Sequence, residues 1–150
     1  MKEEPAKSYL DPSDANVASL LARDIRGEVM MLNLLRFRAT ADYSQYPELA
    51  PKTPISGYEA YEKYVRHTLP FLHASGGELV YMGTGGQYLI GPVNEGWDAV
   101  MLVKQKSVES FFAFASNANY MAGIGHRVAA LSDSRILPLA ESVGAYSSKG

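Results

Sequence analysis

Apolar positions along this chain follow two periods, and the switches between them mark out its elements. Residues 28–38 are apolar at both parities, Met30, Leu32 and Leu34 against Val29, Met31 and Leu35, which reads as a strand covered on both faces. Before it, Val17, Leu20 and Leu21 have helical spacing. Asp11 or Ser13 can cap that helix, Pro12 suits its early turn, and it runs to about Arg23, with Gly27 near its end. A second helix opens at Ser56 with Glu59 at capping-box spacing. Tyr58, Tyr61, Val65, Leu69 and Leu72 form its apolar stripe, Pro70 removes one of its bonds, His73 stands to cap its end, and Gly76 and Gly77 terminate it.

The second half repeats the order. A strand is expected at 78–82, a turn at Gly83, Gly85 and Gly86, an arm at 88–90, a second turn at 92–96 and a strand at 97–105. Ser107 caps a third helix whose inward positions are Val108, Phe111, Phe112 and Ala115. Residues 117–119 interrupt it, Met121, Ile124, Val128 and Leu131 continue a helical pattern, and 135–139 is the last strand. The segment 39–56, with prolines at 47, 51 and 54, is a long loop. Loops of this length serve as lids, subunit contacts or insertions, and Tyr43 and Tyr46 imply that this one packs on something.

After the leading helix the order is strand, helix, strand, strand, helix, strand. Two split halves of this kind predict an α+β ferredoxin-like plait, an antiparallel sheet with helices on one face and an extra N-terminal helix. One domain spans 1–150, with its core at about 13–139 and loosely held ends at 1–8 and 142–150. The doubly apolar first strand requires a cover on the other sheet face, and the simplest cover is a second copy of the chain as a two-fold homodimer.

Composition narrows the partners. Apolar residues make up 47% and charged residues 20%, the formal net charge is −2, and there is no cysteine. Disulfides, thiolate metal sites and a cysteine nucleophile are thereby excluded. Without a basic stripe, nucleic acid and anionic membrane are not expected partners. No apolar leader and no run of ~18 apolar residues is legible, so a soluble cytoplasmic protein is expected.

Several segments carry a family resemblance: 31–37, 57–61, Gly76-Gly77 before a strand, 89–92, Trp97-Asp98, His126-Arg127 and 133–135. Together, over about 13–138, the chain resembles the bacterial domain of unknown function family 1330 within the dimeric α/β-barrel superfamily. That resemblance implies the plait and the dimer. It does not imply one activity, since relatives by fold include cofactor-independent monooxygenases, muconolactone isomerase-like proteins, haem-dependent enzymes and plain binding modules.

The candidate chemistry lies in a few polar residues. An amide and a guanidinium in an apolar strand need partners, a ligand or a pocket lip, because an unpartnered buried amide costs ~1–3 kcal/mol and a charge more. Asn33 and Arg36 point to opposite faces, whereas Arg38 shares the face of Arg36. Arg36 and Arg38 can hold an anionic ligand or pair with carboxylates such as Asp133. His126 is the candidate for proton transfer. His67 and His73, six apart, lack metal-ligand spacing, and no metal is expected. No cofactor is expected either, haem on His126 or His67 being a suggestion of fold analogy alone. Asp133 and Arg135 suit an internal ion pair, or Asp133 can orient His126 or Arg127. Trp97 can wall an apolar pocket, and Tyr64, off the apolar stripe, is the tyrosine with the strongest claim to a ligand. The expected function is small-molecule binding, extending to a cofactor-independent enzyme with monooxygenase- or isomerase-like proton transfer. In that enzyme His126 moves the proton and Arg36 holds the oxyanion, while Asn33, Arg38, Tyr64, Trp97, Arg127, Asp133 and Arg135 bind an apolar or aromatic substrate. The alternative is a non-catalytic ligand-binding or assembly dimer.

Overall fold

The computed structural model describes residues 8–142. The ends expected to be loosely held lie outside these residues, apart from Ser8 and Ser142. The elements are α1 (Asp14–Ala22), β1 (Val29–Phe37), a 3₁₀ turn (Pro47–Leu49), α2 (Gly57–Ala74), β2 (Glu78–Gln87), β3 (Gly96–Gln105), α3 (Val108–Ala115), α4 (Ala118–Met121), α5 (Ile124–Ala130) and β4 (Leu131–Ala140). All strand pairs are antiparallel in the order β2-β3-β1-β4, with β1 and β3 central. This is the ferredoxin-like α+β plait.

Hydroxyl caps set the helix starts. Ser13 Oγ accepts from the Asn16 N–H at 3.1 Å, so Ser13 and not Asp11 caps α1. At α2 both halves of the capping box form, Glu59 N–H to Ser56 Oγ at 3.0 Å and Ser56 N–H to Glu59 Oε1 at 3.2 Å. Ser107 caps α3 in the same way. The end of α2 belongs to Ser75, whose Oγ donates to Leu72 O, and to Gly76 at φ +86°, not to His73.

One sheet face carries the core. Leu35 of β1 and Ala99 and Met101 of β3 pack with Tyr61, Tyr64 and Leu72 of α2, Phe114 of α3 and Ala129 and Ala130 of α5, while Val29 and Met31 of β1 form a second cluster with Val108, Phe111 and Phe112. The other face aligns Leu32 with Leu102 and Leu137, Leu34 with Val100, and Met30 with Leu139. It has no helix over it among the described residues. Leu137 is 54% exposed and Tyr81, opposite Leu102, is 58% exposed.

Four expectations are corrected. Gly83, Gly85 and Gly86 do not turn the chain but extend β2 to Gln87. A Cβ on Gly85 would overlap the Trp97 carbonyl, so glycine lets the two backbones approach. In α2 the buried face runs through Ala60, Tyr61, Tyr64, Thr68 and Leu72, leaving Tyr58 exposed. In α3 Phe114 is buried, while Phe111 and Phe112 are only partly so. Finally, β4 starts at Leu131, and α5 buries Gly125, Arg127, Ala129 and Ala130 rather than a large apolar stripe. Small residues are needed there, since a Cβ on Gly125 would overlap the Tyr46 ring and Leu49.

Candidate functional site

No residue of α1 is buried, and only Val17 and Leu20 turn partly inward. A helix with so narrow an apolar stripe roofs the sheet without filling the space below it. The result is a cavity of about 510 Å³ between α1, the segment before it, α3, α5 and the β1–β4 side of the sheet. That size suits a small molecule. Leu20, Met31, Phe111, Phe112 and Ile136 make its walls apolar, and Tyr9, Ser134, Arg127 and Arg135 supply polar atoms. A second depression of about 540 Å³ lies between the 23–28 turn and Ala140 and Glu141. All of its lining except Ile25 is exposed, so nothing in it is prepared for a ligand.

Arg127 enters the cavity from α5 and is 8% exposed. Its Nη1 donates to Leu10 O at 2.8 Å and its Nη2 to Ser134 Oγ at 3.3 Å. Ser134 Oγ donates in turn to Tyr9 O, and the Tyr9 N–H donates to Asp133 Oδ1 at 2.8 Å. The segment before α1 is thus fastened along β4 and forms the cavity's outer wall.

Four of the other candidates meet at the sheet end beside that wall. Arg36 donates to the Gly96 carbonyl, Nε at 3.0 Å and Nη2 at 2.7 Å, and pairs with Asp133 at 3.3 Å. Arg135 pairs with the same carboxylate at 2.7 Å. Both guanidinium carbons lie over the Trp97 ring, at 4.6 and 5.0 Å from its centroid. Trp97 is 3% exposed and donates to Tyr88 Oη at 2.7 Å, and that hydroxyl donates to Glu95. Burial pushes the Asp133 carboxyl up, but the N–H groups of Tyr9 and Ser134 and the Arg135 guanidinium outweigh it and hold the group below its ordinary value. The cluster is a clasp, with its single carboxylate shared by two arginines.

The remaining candidates stand elsewhere. Asn33 is buried on the helix-facing side and its Nδ2 donates to Met31 O at 3.1 Å and Met101 O at 3.4 Å. Arg38 does not continue the face of Arg36, because the register with β4 shifts between Arg36 and Phe37. Its N–H binds Ala130 O at 2.8 Å, and its Nε is buried without a partner. Tyr64 lies in the core with its Oη 2.7 Å from that of Tyr120. His126 Nδ1 lies 2.8 Å from Tyr43 Oη, and burial, with Lys63 and His67 nearby, holds the imidazole below its ordinary value. Tyr43 belongs to the 39–56 loop, which folds back on α5 through Asp42 N–H to Ala129 O at 2.9 Å.

Arg36, Trp97, Asp133 and Arg135 therefore come together, and Arg127 and Arg135 both line the cavity. His126 and Arg36 share no partner, and neither lines the cavity. Asp133 orients neither His126 nor Arg127, its oxygens being taken by Tyr9, Arg36, Ser134 and Arg135. Tyr9 and Leu10 were missed because most of their part is played by backbone atoms, the Tyr9 ring adding a face 4.7 Å from the Arg135 guanidinium carbon. One signal for Arg127 was legible, a lone guanidinium in a helix otherwise built of small and apolar residues around His126.

No protein-family model matches the chain, and no curated protein matches it. Among solved structures it is similar to the RPA0582 protein of Rhodopseudomonas palustris, described as a protein of unknown function. The two are 32% identical, the match covers 92% of this chain and 100% of that one, and the TM-score is 0.77. The methylated form of RPA0582 gives the same identity and TM-score, covering 92% of this chain and 98% of that one. A dimeric ferredoxin-like protein of unknown function from Bacteroides fragilis is a remote match, 10% identical with a TM-score of 0.46, covering 78% of this chain and 99% of that one.

Proposed function

Because the chain belongs to the same family as the RPA0582 protein, we propose its function from the geometry of the molecule: it is a homodimeric small-molecule-binding protein of the dimeric α/β-barrel type. On the motifs at 31–37 and 57–61 we propose further that it is related to the domain of unknown function family 1330. The cavity under α1 carries the reading. It is of ligand size, walled by Leu20, Met31, Phe111, Phe112 and Ile136, and edged by a few polar groups. The homodimer is supported by the uncovered sheet face, where Leu32, Leu34, Leu102, Leu137 and Leu139 form a continuous apolar stripe. Folding alone leaves that stripe in water, and a second copy removes it.

The reading is one of binding rather than proton transfer, since His126 lies outside the cavity and is engaged by Tyr43. The test is a thermal-melt panel of aromatic, quinone, lactone and medium-chain aliphatic compounds on the whole protein. A compound at a hundred times its dissociation constant adds ~2.7 kcal/mol, or roughly 5 °C or more in a domain of this size. Val17→Trp, which fills the cavity from the half-buried side of α1, is expected to abolish the shift while leaving the unliganded melt nearly unchanged. No shift from any compound, or an equal shift in the Trp variant, would overturn the reading.

A further inference from the structure

Resting on the cavity being a small-molecule site, we infer that its ligand is a monocarboxylic acid with an apolar body. The carboxylate sits in the fork of the Arg127 guanidinium, and the body lies against Leu20, Met31, Phe111 and Phe112.

The argument starts from charge. Among the described residues, the ion pairs are Arg26–Asp24, Arg36–Asp133, Lys104 with Glu28 and Glu78, and Arg135–Asp133. Arg127 has none. It is more than nine-tenths buried, and its two hydrogen bonds go to neutral oxygens, Leu10 O and Ser134 Oγ. A guanidinium cannot shed its proton, so removal from water costs several kcal/mol unless an anion compensates.

The nearest acid in sequence cannot supply that anion. Asp133 adjoins Ser134, yet both its oxygens are occupied by Arg36, Arg135 and two main-chain N–H groups. The rest of the lining has the same bias. Arg23 and Arg127 face the cavity against Asp11, while Arg135 is balanced by Asp133, so the field is net positive and favours an anion.

The shape of the site selects the class. A carboxylate accepts two N–H bonds from one guanidinium, and Arg127, with two of its five N–H donors given to Leu10 and Ser134, has three left to offer. A phosphate dianion would need more donors than one guanidinium and the Ser134 hydroxyl. The apolar walls exclude a small polar acid, whose body would gain nothing by burial, and they favour an alkyl chain or an aromatic ring. A single charged anchor in an otherwise apolar cavity also sets orientation, carboxylate inward on Arg127 and apolar body toward α1 and α3.

The experiment compares matched pairs on the whole protein at pH 7.5 by isothermal titration and thermal melts: octanoate against 1-octanol, and 4-phenylbutyrate against 4-phenyl-1-butanol, with inorganic phosphate as the anion control. Each acid is expected to bind at least tenfold more tightly than its alcohol, and phosphate not to bind. In Arg127→Gln, which keeps a donor toward Leu10 O, acid binding falls at least tenfold while alcohol binding is unchanged. Arg127→Lys retains part of the preference. Equal binding of acids and alcohols to the unaltered protein overturns the carboxylate assignment and leaves the small-molecule reading standing. Phosphate binding as well as the acids also overturns the assignment. Absence of binding by all four organic probes overturns the assignment, and the small-molecule reading falls separately if the broader panel is silent too. The comparison within the unaltered protein decides the matter even if an Arg127 variant does not fold.

Discussion

His126 shows how a residue's environment sets the sign of its contribution. Burial is the largest influence on it and favours the neutral ring, which holds its pKa below the ordinary 6.5. Between the folded and the ordinary value the unfolded chain binds more protons than the native one. The stabilisation is therefore present above about pH 6.5 and is lost as pH falls through the folded pKa. Thermal melts from pH 7.5 to 5.5 are expected to show a falling midpoint, and His126→Gln to flatten that slope. Asp133, held below its ordinary 3.8, keeps its contribution until the solution is more acidic, so the two groups separate on the pH axis. A slope unchanged by the Gln variant would remove His126 as its cause. Sequence pointed to His126, Arg36 and Asp133 as unusual residues and offered Asp133 as a carboxylate for Arg36 and Arg135, but gave no sign of Tyr43 beside His126. Tyr43 is 83 positions from His126. No local pattern encodes a contact of that span.

At the scale of elements, Gly57 marks a tight junction of backbone on backbone. The first residue of α2 sits where a Cβ would overlap the carbonyl oxygens of both Arg38 and Ala130. The same place is tied by Gly57 N–H to Arg38 O at 3.0 Å and Arg38 N–H to Ala130 O at 2.8 Å. Those bonds join the end of β1, the start of α2 and the end of α5. Gly57→Ala is expected to cost about 2–3 kcal/mol in urea unfolding, because backbone cannot step aside as a side chain can. Gly86→Ala, in β2 with open space around it, should stay within about 0.5 kcal/mol. Equal midpoints for the two would mean that the junction relaxes freely. Helix starts were legible because serine caps act within four residues. The length of β2 was not, because a glycine in a strand and a glycine in a turn look alike until Trp97 is seen alongside.

For the whole molecule, the decisive feature is the asymmetry of the two sheet faces. Helices α2, α3 and α5 cover one; the other presents the leucine stripe and Tyr81. Light scattering is expected to find a dimer, and Leu137→Lys, at a position 54% exposed in the single chain, to yield a monomer. The variant should keep its circular dichroism, since it disturbs no contact of the helix-side core. A monomer in the unaltered protein, or a dimer indifferent to lysine there, would show that this face is not the one that pairs. The 39–56 loop folds onto α5 through Tyr43, Tyr46 and Leu49.

Sequence alone determined the order of elements, the serine caps that open α2 and α3, the plait and the doubly apolar first strand. Each follows from periodicity or from hydrogen bonds that close over a few residues. Tertiary structure alone decided that Tyr64 faces the core, that Arg36 and Arg135 lie over Trp97, and that the cavity lies under α1 with Arg127 inside it. Those outcomes depend on how far apart the packed elements stand and on which backbone carbonyls meet which side chains. Such distances are set by close packing across the whole chain, and no window of the sequence contains them.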